Sequence, residues 1–374
     1  MKNLQAGIIG CGQMGRNHAV AYQALAGVDL VAAHDYDDHN ADRFCEDFDL
    51  KRTTLPELLE LVDIVSICTW PSSHSSLTLQ ALGAGTHVLC EKPPAGNAEE
   101  ATKMREMAEE QGLVLTYGLL YRHAFRNIVD LVADVGRPYK ITAKWLRRFG
   151  FPKWSSTGYR ESSGGALTDL GVHMIDLAWY LVGCPEPELV HAAAWNHRSR
   201  EFYGEIGMAD PITDMPYPEQ ANDSAFVLMR MNNGCTATVE VAYSTDMTED
   251  EHVSVEIQGS HGTLVLPLPT TQTTFSPALL PAFRRSDERA SSSAVIQRRP
   301  RLVREAVHDQ LANFRDVVLG VQSPVITASQ AVTVQRILDL AVWSARTGEP
   351  VTLRGRDEAG EHPHLKTSTT GVSA

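Results

Sequence analysis

An aspartate and a histidine lie four residues apart in the segment GGALTDLGVHMID, residues 164–176. On an α-helix, side chains with this spacing lie on the same face, one turn apart. Imidazole has a pKa near neutrality, so Asp169 and His173 have the chemistry of a proton-transfer pair. The alternative is structural, with Asp169 as a helix cap and His173 as a hydrogen-bonded core residue. The segment alone does not separate these two interpretations.

The helix that must carry this pair is predicted from the same segment. Two glycines interrupt the chain before it, and we expect the helix to begin near Thr168 or Asp169, where either side chain can cap the first free N–H groups. An apolar stripe at helical spacing would bury one side of this helix. Its members are Leu170, Met174, Leu177, Ala178 and Leu181. The polar pair would therefore lie near a buried helix start that a substrate could reach.

A lysine at a predicted strand end is a third candidate. Lys92, in the sequence EKPP, follows the predicted strand Thr86–Cys90, and parallel sheets bind ligands at the carboxyl ends of their strands. The proline that follows biases the backbone of Lys92 toward extended geometry, which would fix it at the mouth of the sheet. An ammonium there can stabilise negative charge on a substrate oxygen. Taken alone, EKPP more often marks a solvated surface lysine.

The first fifteen residues carry the pattern of a dinucleotide-binding turn. The apolar run LQAGIIG predicts a strand, and GCGQMG leads from it into an amphipathic run that predicts a helix, which is the context the glycine pattern requires. Gly10 would permit the tight turn, Gly12 would let the backbone approach a pyrophosphate, and Gly15 would let the helix pack closely on the strand. The helix N-terminus then offers N–H donors and partial positive charge to the phosphates.

The next predicted strand ends at Asp35, where a carboxylate would bind the adenosine ribose. Tyr36, Asp37 and Asp38 follow it, and the first cation after them is Arg43. A 2′-phosphate with about −1.5 to −2 charges would meet this acidic cluster without a nearby cation. We therefore predict NAD as the cofactor rather than NADP.

Strand and helix patterns alternate through the first third of the chain, which predicts a doubly wound parallel sheet of the Rossmann type. Longer alternating strands and turn signals follow, which predicts an α+β unit with a large, open, mainly antiparallel sheet. We divide the chain into a dinucleotide-binding domain (1–122), a substrate and oligomerisation domain (123–353) and a disordered tail (354–374). Residues 267–301, rich in Pro, Ser, Thr and Arg, are predicted to form a loop or a mobile excursion.

The composition limits the class of protein. A chain of 374 residues is too long for one ordinary core, and its formal charge of −13 argues against nucleic acid and anionic membranes as partners. No signal-peptide pattern is present and no apolar run approaches 18 residues, so we expect a cytoplasmic protein. The six cysteines are scattered and the histidines lack metal-ligand spacing, so we expect reduced thiols and no metal site.

Taken together, these motifs resemble the Gfo/Idh/MocA family of sugar and cyclitol oxidoreductases, over nearly the full length to about residue 353. The resemblance is carried by GIIGCGQMG (7–15), TWPSSH (69–74), HVLCEKPPAGN (87–97), GGALTDLGVHMIDLAWYLVG (164–183) and the C-terminal HDQLANFRDVVLG and SARTGEPVTL. It implies that Lys92, Asp169 and His173 face the nicotinamide from opposite domains as the catalytic set. Spacing does not decide which of the three is the formal base, because coupled groups titrate together.

The resemblance also implies a set of binding residues. The cofactor would contact the glycine turn and the strand ends, at Gly10, Gly12, Gln13, Met14, Gly15, Asp35, Thr69, Trp70, Pro71, His74, Glu91 and Lys92. Weaker substrate candidates are Tyr121, Arg122, Arg147, Arg148 and Trp154, for each of which a surface or packing role is at least as probable. By analogy with the family, we also expect a homodimer or homotetramer.

Three functions fit these features. The first is an NAD-dependent dehydrogenase or reductase that acts on a secondary alcohol or ketone of a sugar, aminosugar, glycoside or cyclitol. The second is redox-neutral cleavage of a glycoside, in which transient oxidation permits elimination and the hydride returns. The third is a non-catalytic sensor that binds NAD(P), although the presence of Lys92, Asp169 and His173 argues against it. The sequence does not identify the substrate, the oxidised carbon or the direction of the reaction.

Overall fold

The computed structural model describes most of the chain, and the structural statements below concern residues 3–150, 165–197, 222–269, 280–286 and 294–353. The predicted substrate residue Trp154 and the predicted tail 354–374 lie outside these ranges. Among the described helices, none is long and apolar enough to cross a membrane. No metal-binding group of three or more His, Cys, Asp or Glu side chains occurs within the same ranges.

The first sheet has six parallel strands in the order β3-β2-β1-β4-β5-β6. These strands are β1 (Leu4–Ile9), β2 (Val28–His34), β3 (Lys51–Arg52), β4 (Ile64–Ile67), β5 (His87–Cys90) and β6 (Leu115–Tyr117). The strand order reverses between β1 and β4, and a doubly wound sheet binds its ligand in the crevice at that point. The glycine turn after β1 and the loops after β4 and β5 meet at this crevice.

Six helices connect or follow these strands. They are α1 (Gln13–Gln23), α2 (Asp38–Phe48), α3 (Leu55–Leu61), α4 (Pro71–Gly83), α5 (Ala98–Gln111) and α6 (Tyr121–Phe125), after which a 3₁₀ helix spans Val129–Val135. The sequence reasoning missed α2, whose first N–H groups are capped by the carboxylate of Asp37. The sequence pattern had indicated Asp37 only as one of the acidic residues that follow Asp35. The parallel alternation predicted from the sequence is confirmed.

The second sheet has nine strands in the order β14-β13-β12-β11-β7-β10-β9-β8-β15. They are β7 (Pro138–Arg147), β8 (Pro187–Trp195), β9 (Ser224–Met231), β10 (Thr236–Ala242), β11 (Glu251–Gly259), β12 (Gly262–Pro267), β13 (Ala282–Arg285), β14 (Ala294–Val295) and β15 (Val351–Thr352). All neighbours are antiparallel except β7 and β10, which are parallel. The mainly antiparallel sheet is thus confirmed. The loop or excursion predicted for 267–301 is corrected, because the described part of this segment contains two strands, β13 and the edge strand β14.

The helix with the polar pair is divided into α7 (Gly165–Asp169) and α8 (Gly171–Leu181). The prediction that Thr168 or Asp169 caps its start was wrong. The first N–H groups are capped by Asn222, whose backbone carbonyl accepts from Ala166 and whose amide oxygen accepts from Leu167, both at 2.9 Å. Asn222 lies far along the chain, so no local pattern announces this cap. Asp169 is the last residue of α7, which frees its carboxylate for other contacts.

Two C-terminal helices pack against the elements of the two sheets. The helix α9 (Val303–Val318) packs on α1 with its apolar residues in the core of the first sheet, whereas α10 (Ala328–Thr347) packs on both α5 and β8. Sequence order alone assigned α9 to the second domain. In the structure this helix packs on α1 of the first unit, although it lies within the segment 123–353 assigned to the second domain.

Candidate active site

Lys92 and Asp169 form an ion pair between the two halves of the molecule. Nζ of Lys92, in the loop after β5, lies 2.5 Å from Oδ1 of Asp169 and 3.3 Å from its backbone oxygen. The hydroxyl of Tyr243 donates to Oδ2 of Asp169 at 2.8 Å. Burial alone would raise the pKa of Asp169, but Lys92 and Tyr243 outweigh it and lower this pKa to about 2. Asp169 is therefore a carboxylate with a bound donor on each oxygen.

His173 lies at the first turn of α8, with its ring enclosed by aromatic side chains. Tyr121 meets it edge-on, with ring centroids 5.3 Å apart, and Trp145 lies at 5.9 Å. Its Nδ1 is buried and has no hydrogen-bond partner among the residues the structure covers. Burial and the nearby Lys92 lower the pKa of His173 to about 3. At neutral pH the imidazole is therefore uncharged, which is the form that a proton acceptor requires.

The glycine turn after β1 fits a bound dinucleotide. Gly10 has φ +96°, and a Cβ there would meet the backbone of Cys68; a Cβ on Gly15 would meet the carbonyl of Gly10. In contrast, a Cβ on Gly12 would meet nothing within 4 Å, so this position is open to a ligand. The first turn of α1, with Gln13 and Met14, follows directly. Its free N–H groups suit a pyrophosphate.

Asp35 lies beside the glycine turn, as the sequence predicted. Its Oδ2 accepts a hydrogen bond of 2.7 Å from the N–H of Cys11, and Oδ1 accepts one of 2.9 Å from Asp37. Each carboxylate oxygen has a second lone pair. The carboxylate therefore both fixes the turn and keeps acceptor capacity for ribose hydroxyls.

His74 connects the loop after β4 with the loop after β5. Its Nδ1 lies 2.9 Å from the carbonyl of Pro93 and its Nε2 lies 3.1 Å from the carbonyl of Thr69. His74 is fully buried, whereas Thr69, Trp70 and Pro71 are partly exposed. The partly exposed residues remain candidates for cofactor contact. His74 instead holds the loops that carry Thr69 and Lys92.

One weak substrate candidate is corrected by the structure. Arg122 is fully buried, and its guanidinium binds Asp176 at distances of 2.6 to 3.1 Å and Gln330 at 2.7 Å. These contacts join α6, α8 and α10. The side chain is thus committed to an internal ion pair and does not face a cleft.

The other described candidates each have a protein partner. Tyr121 is buried against His173 and donates to the carbonyl of Pro269 at 3.1 Å. Arg147 is paired with Glu251 at 2.9 Å, and Arg148 is paired with Asp250 at 2.7 Å. Both arginines therefore have their charge balanced by a neighbouring carboxylate.

Two site residues were missed by sequence reasoning. Tyr243 directly follows β10 and binds Asp169, and Trp145 on β7 packs against His173. The parallel pairing of β7 with β10 brings these strand ends together. The sequence shows a tyrosine after a predicted strand. It does not show that β10 pairs with β7, which is what brings Tyr243 to the site.

Comparison with known proteins gives two matches to models of the GFO_IDH_MocA family. The model described as an oxidoreductase family with an NAD-binding Rossmann fold matches residues 4–119. The model described as the C-terminal alpha/beta domain of the oxidoreductase family matches residues 131–353. The two regions coincide with the six-stranded and nine-stranded sheets.

Individual relatives include enzymes that act on sugars. D-glucoside 3-dehydrogenase of Escherichia coli is 29% identical over 94% of this chain and 97% of its own length. UDP-N-acetylglucosamine 3-dehydrogenase of Acidithiobacillus ferrooxidans is 32% identical over 64% of this chain and 67% of its own length. Among solved structures, GenD2 from gentamicin A biosynthesis, in complex with NAD, superposes with a TM-score of 0.74 at 24% identity, over 94% of this chain and 97% of that one.

Proposed function

Since the chain belongs to the Gfo/Idh/MocA oxidoreductase family, we propose that it transfers hydride between NAD and a secondary hydroxyl of a sugar, aminosugar, glycoside or cyclitol, or reduces the corresponding ketone. The observation that carries this proposal is the contact of Lys92 with Asp169, beside an uncharged His173. The contact joins the end of a cofactor-binding sheet to the helix α7, which packs on the sheet that would hold the substrate.

The side chains divide the chemistry of alcohol oxidation. NAD, when bound, accepts the hydride from the carbinol carbon. Lys92 places a positive charge where the substrate oxygen becomes negative, which stabilises that charge. His173, uncharged at neutral pH, accepts the hydroxyl proton. Asp169 holds the ammonium of Lys92 and is itself held by Tyr243.

The charges at the site favour an uncharged substrate. Arg147 and Arg148, two described cations that could bind a phosphate or diphosphate, are paired with Glu251 and Asp250. Binding a phosphate there would require one of these pairs to break. The relatives are named for different substrates: one for a D-glucoside, one for glucose 6-phosphate and one for UDP-N-acetylglucosamine. We therefore propose that the substrate is a free sugar or a simple glycoside and not a phosphorylated sugar.

The wider setting is also a proposal. We propose a homodimer or homotetramer in the cytoplasm, formed through the second domain. The support is the broad nine-stranded sheet and the absence of a membrane-spanning helix in the described ranges. Sedimentation velocity tests the assembly, and a monomer at all concentrations would overturn it.

A substrate panel tests the proposed activity. Glycosides, free sugars, aminosugars and cyclitols, with their phosphates and UDP derivatives, are incubated with NAD or NADP while the absorbance of the reduced cofactor is followed. We expect NADH with an uncharged member and a keto product of the same carbon skeleton. Cleavage of a glycoside without net NADH would instead support the redox-neutral alternative. Binding of NAD with no turnover of any member would favour a sensor.

A further inference from the structure

Glu91, the residue before Lys92, has a buried carboxylate whose two oxygens have different partners. Oε1 lies 3.2 Å from Nε2 of His18, and Oε2 accepts a hydrogen bond of 3.2 Å from the backbone N–H of Lys92. The side chain of Glu91 is 5% exposed and that of His18 is 0% exposed. The carboxylate is thus enclosed by protein and bound to the chain that carries Lys92. It does not present a free oxygen to a cofactor, although the sequence placed Glu91 among the cofactor contacts.

His18 is anchored through this carboxylate. It lies on α1, one turn beyond Gly15, and its Nδ1 is buried with no hydrogen-bond partner among the residues described. Burying a polar ring costs free energy unless it forms hydrogen bonds. The contact with Glu91 offsets that cost, so a polar ring at this core position is explained by Glu91 and not by packing.

Gly118, just after β6, leaves the space that the carboxylate occupies. A Cβ at Gly118 would come within 2.5 to 2.6 Å of the carboxyl atoms of Glu91, well inside van der Waals contact. Burial raises the pKa of Glu91, but His18 and Lys92 outweigh it and the net shift is downward. The group at this position is therefore a carboxylate at neutral pH, confined from two sides.

We propose that His18 and Glu91 form a positioning pair for Lys92. His18 fixes the carboxylate, and the carboxylate fixes the backbone N–H of Lys92, which sets where the ammonium meets Asp169 and the substrate oxygen. The helix whose first turn faces the cofactor thereby also orients the cation that acts on the substrate. The proposal rests on the proposed function, in which Lys92 stabilises the developing alkoxide.

The first test needs no substrate or cofactor. Lysines of the free protein are reductively methylated with ¹³C, and the Lys92 signal is identified by its loss in Lys92→Arg. We expect this signal to shift in His18→Leu and in Gly118→Ala, which displace Glu91 from opposite sides. In His18→Gln the side-chain amide can replace Nε2 as donor, and the signal should return toward its native position. An unchanged signal in both His18→Leu and Gly118→Ala would overturn the proposal.

Tyr22→Phe is the matched control. Tyr22 lies on the same helix and forms a buried hydrogen bond of 2.9 Å with Ser66. Its loss should lower stability without moving the Lys92 signal. A shift in Tyr22→Phe as large as in His18→Leu would show that any damage to α1 suffices, and would also overturn the proposal.

The second test uses a substrate that the wild-type enzyme turns over in the panel. If no substrate is turned over, the proposed function fails before this test begins. Misplacing a catalytic group by about 1 Å can cost 10²-fold in rate, so we expect His18→Leu and Gly118→Ala to lower kcat by about 10- to 100-fold, with NAD affinity little changed. Because His18 acts through Glu91, the change His18→Leu should cost much less in a Glu91→Gln background. Full additivity of the two changes would contradict the positioning role.

Discussion

At the scale of single residues, the environment of each group decides its role. Asp169 is partly buried and His173 is buried, and Asp169 keeps its charge because Lys92 and Tyr243 bind it. His173 loses its charge because aromatic rings enclose it and Lys92 repels a proton on it. The ammonium of Lys92 lowers the pKa of both neighbours, which leaves Asp169 charged and His173 uncharged. The result is a fixed cation next to a vacant proton acceptor.

A titration of His173 checks this arrangement. Its pKa of about 3 lies below the ordinary value near 6.5 because of burial and Lys92, so the ring should stay uncharged from pH 5 to 8. In Lys92→Met one of these causes is removed, and the pKa should rise. Both are measured by ¹⁵N NMR of the imidazole, with the signal assigned in His173→Asn. Lys103→Met, at an exposed site, should leave the signal unchanged, and native titration near pH 6.5 would refute the assignment.

At the scale of elements, most of the pattern that positions the site was readable from the sequence. The glycine turn, Asp35 and Lys92 depend on local strand and turn signals, and each lies where those signals predicted. Tyr243 and the Asn222 cap of α7 were missed because both depend on contacts between distant segments. The burial of Arg122 was missed for the same reason, since its partner Asp176 lies 54 residues away.

The Arg122–Asp176 ion pair should contribute to stability and not to substrate binding. Asp176→Asn would leave the buried guanidinium without its counter-charge, and breaking such a pair typically costs about 3–5 kcal/mol of unfolding free energy. Urea denaturation measures this loss. The exposed pair of Lys103 with Glu99 is the control, and Lys103→Ala should leave the transition unchanged. An unfolding free energy of Asp176→Asn equal to that of the native chain would contradict the stabilising role of the Arg122–Asp176 ion pair.

At the scale of the whole molecule, the site exists only because two sheets are held in one arrangement. Lys92 follows a strand of the first sheet, whereas Asp169 ends a helix that packs on the second sheet and Tyr243 directly follows a strand of that sheet. The helix α10 packs on both sheets, and α9 returns to pack on α1. The proposed cofactor and substrate sites therefore lie within one folded unit.

Cofactor choice is tested on that folded unit. A ligand that binds only the native state at 100 times its Kd stabilises by about 2.7 kcal/mol, so NAD should raise the unfolding temperature more than NADP at equal concentration. In Asp35→Asn the negative charge is removed while an acceptor remains, and the difference between NAD and NADP should shrink. Thermal unfolding measures both effects. Greater stabilisation of the native chain by NADP would overturn the argument from Asp35.

The most direct test of the central claim is single-turnover hydride transfer in wild-type enzyme and in His173→Ala, with NAD and a substrate found in the panel. Loss of a positioned proton acceptor should slow NADH formation by about 10²–10⁴-fold, with NAD affinity little changed. His308→Ala, a partly exposed histidine on α9, is the matched control and should retain the native rate. A native rate in His173→Ala would contradict the role assigned to this residue and the account built on it.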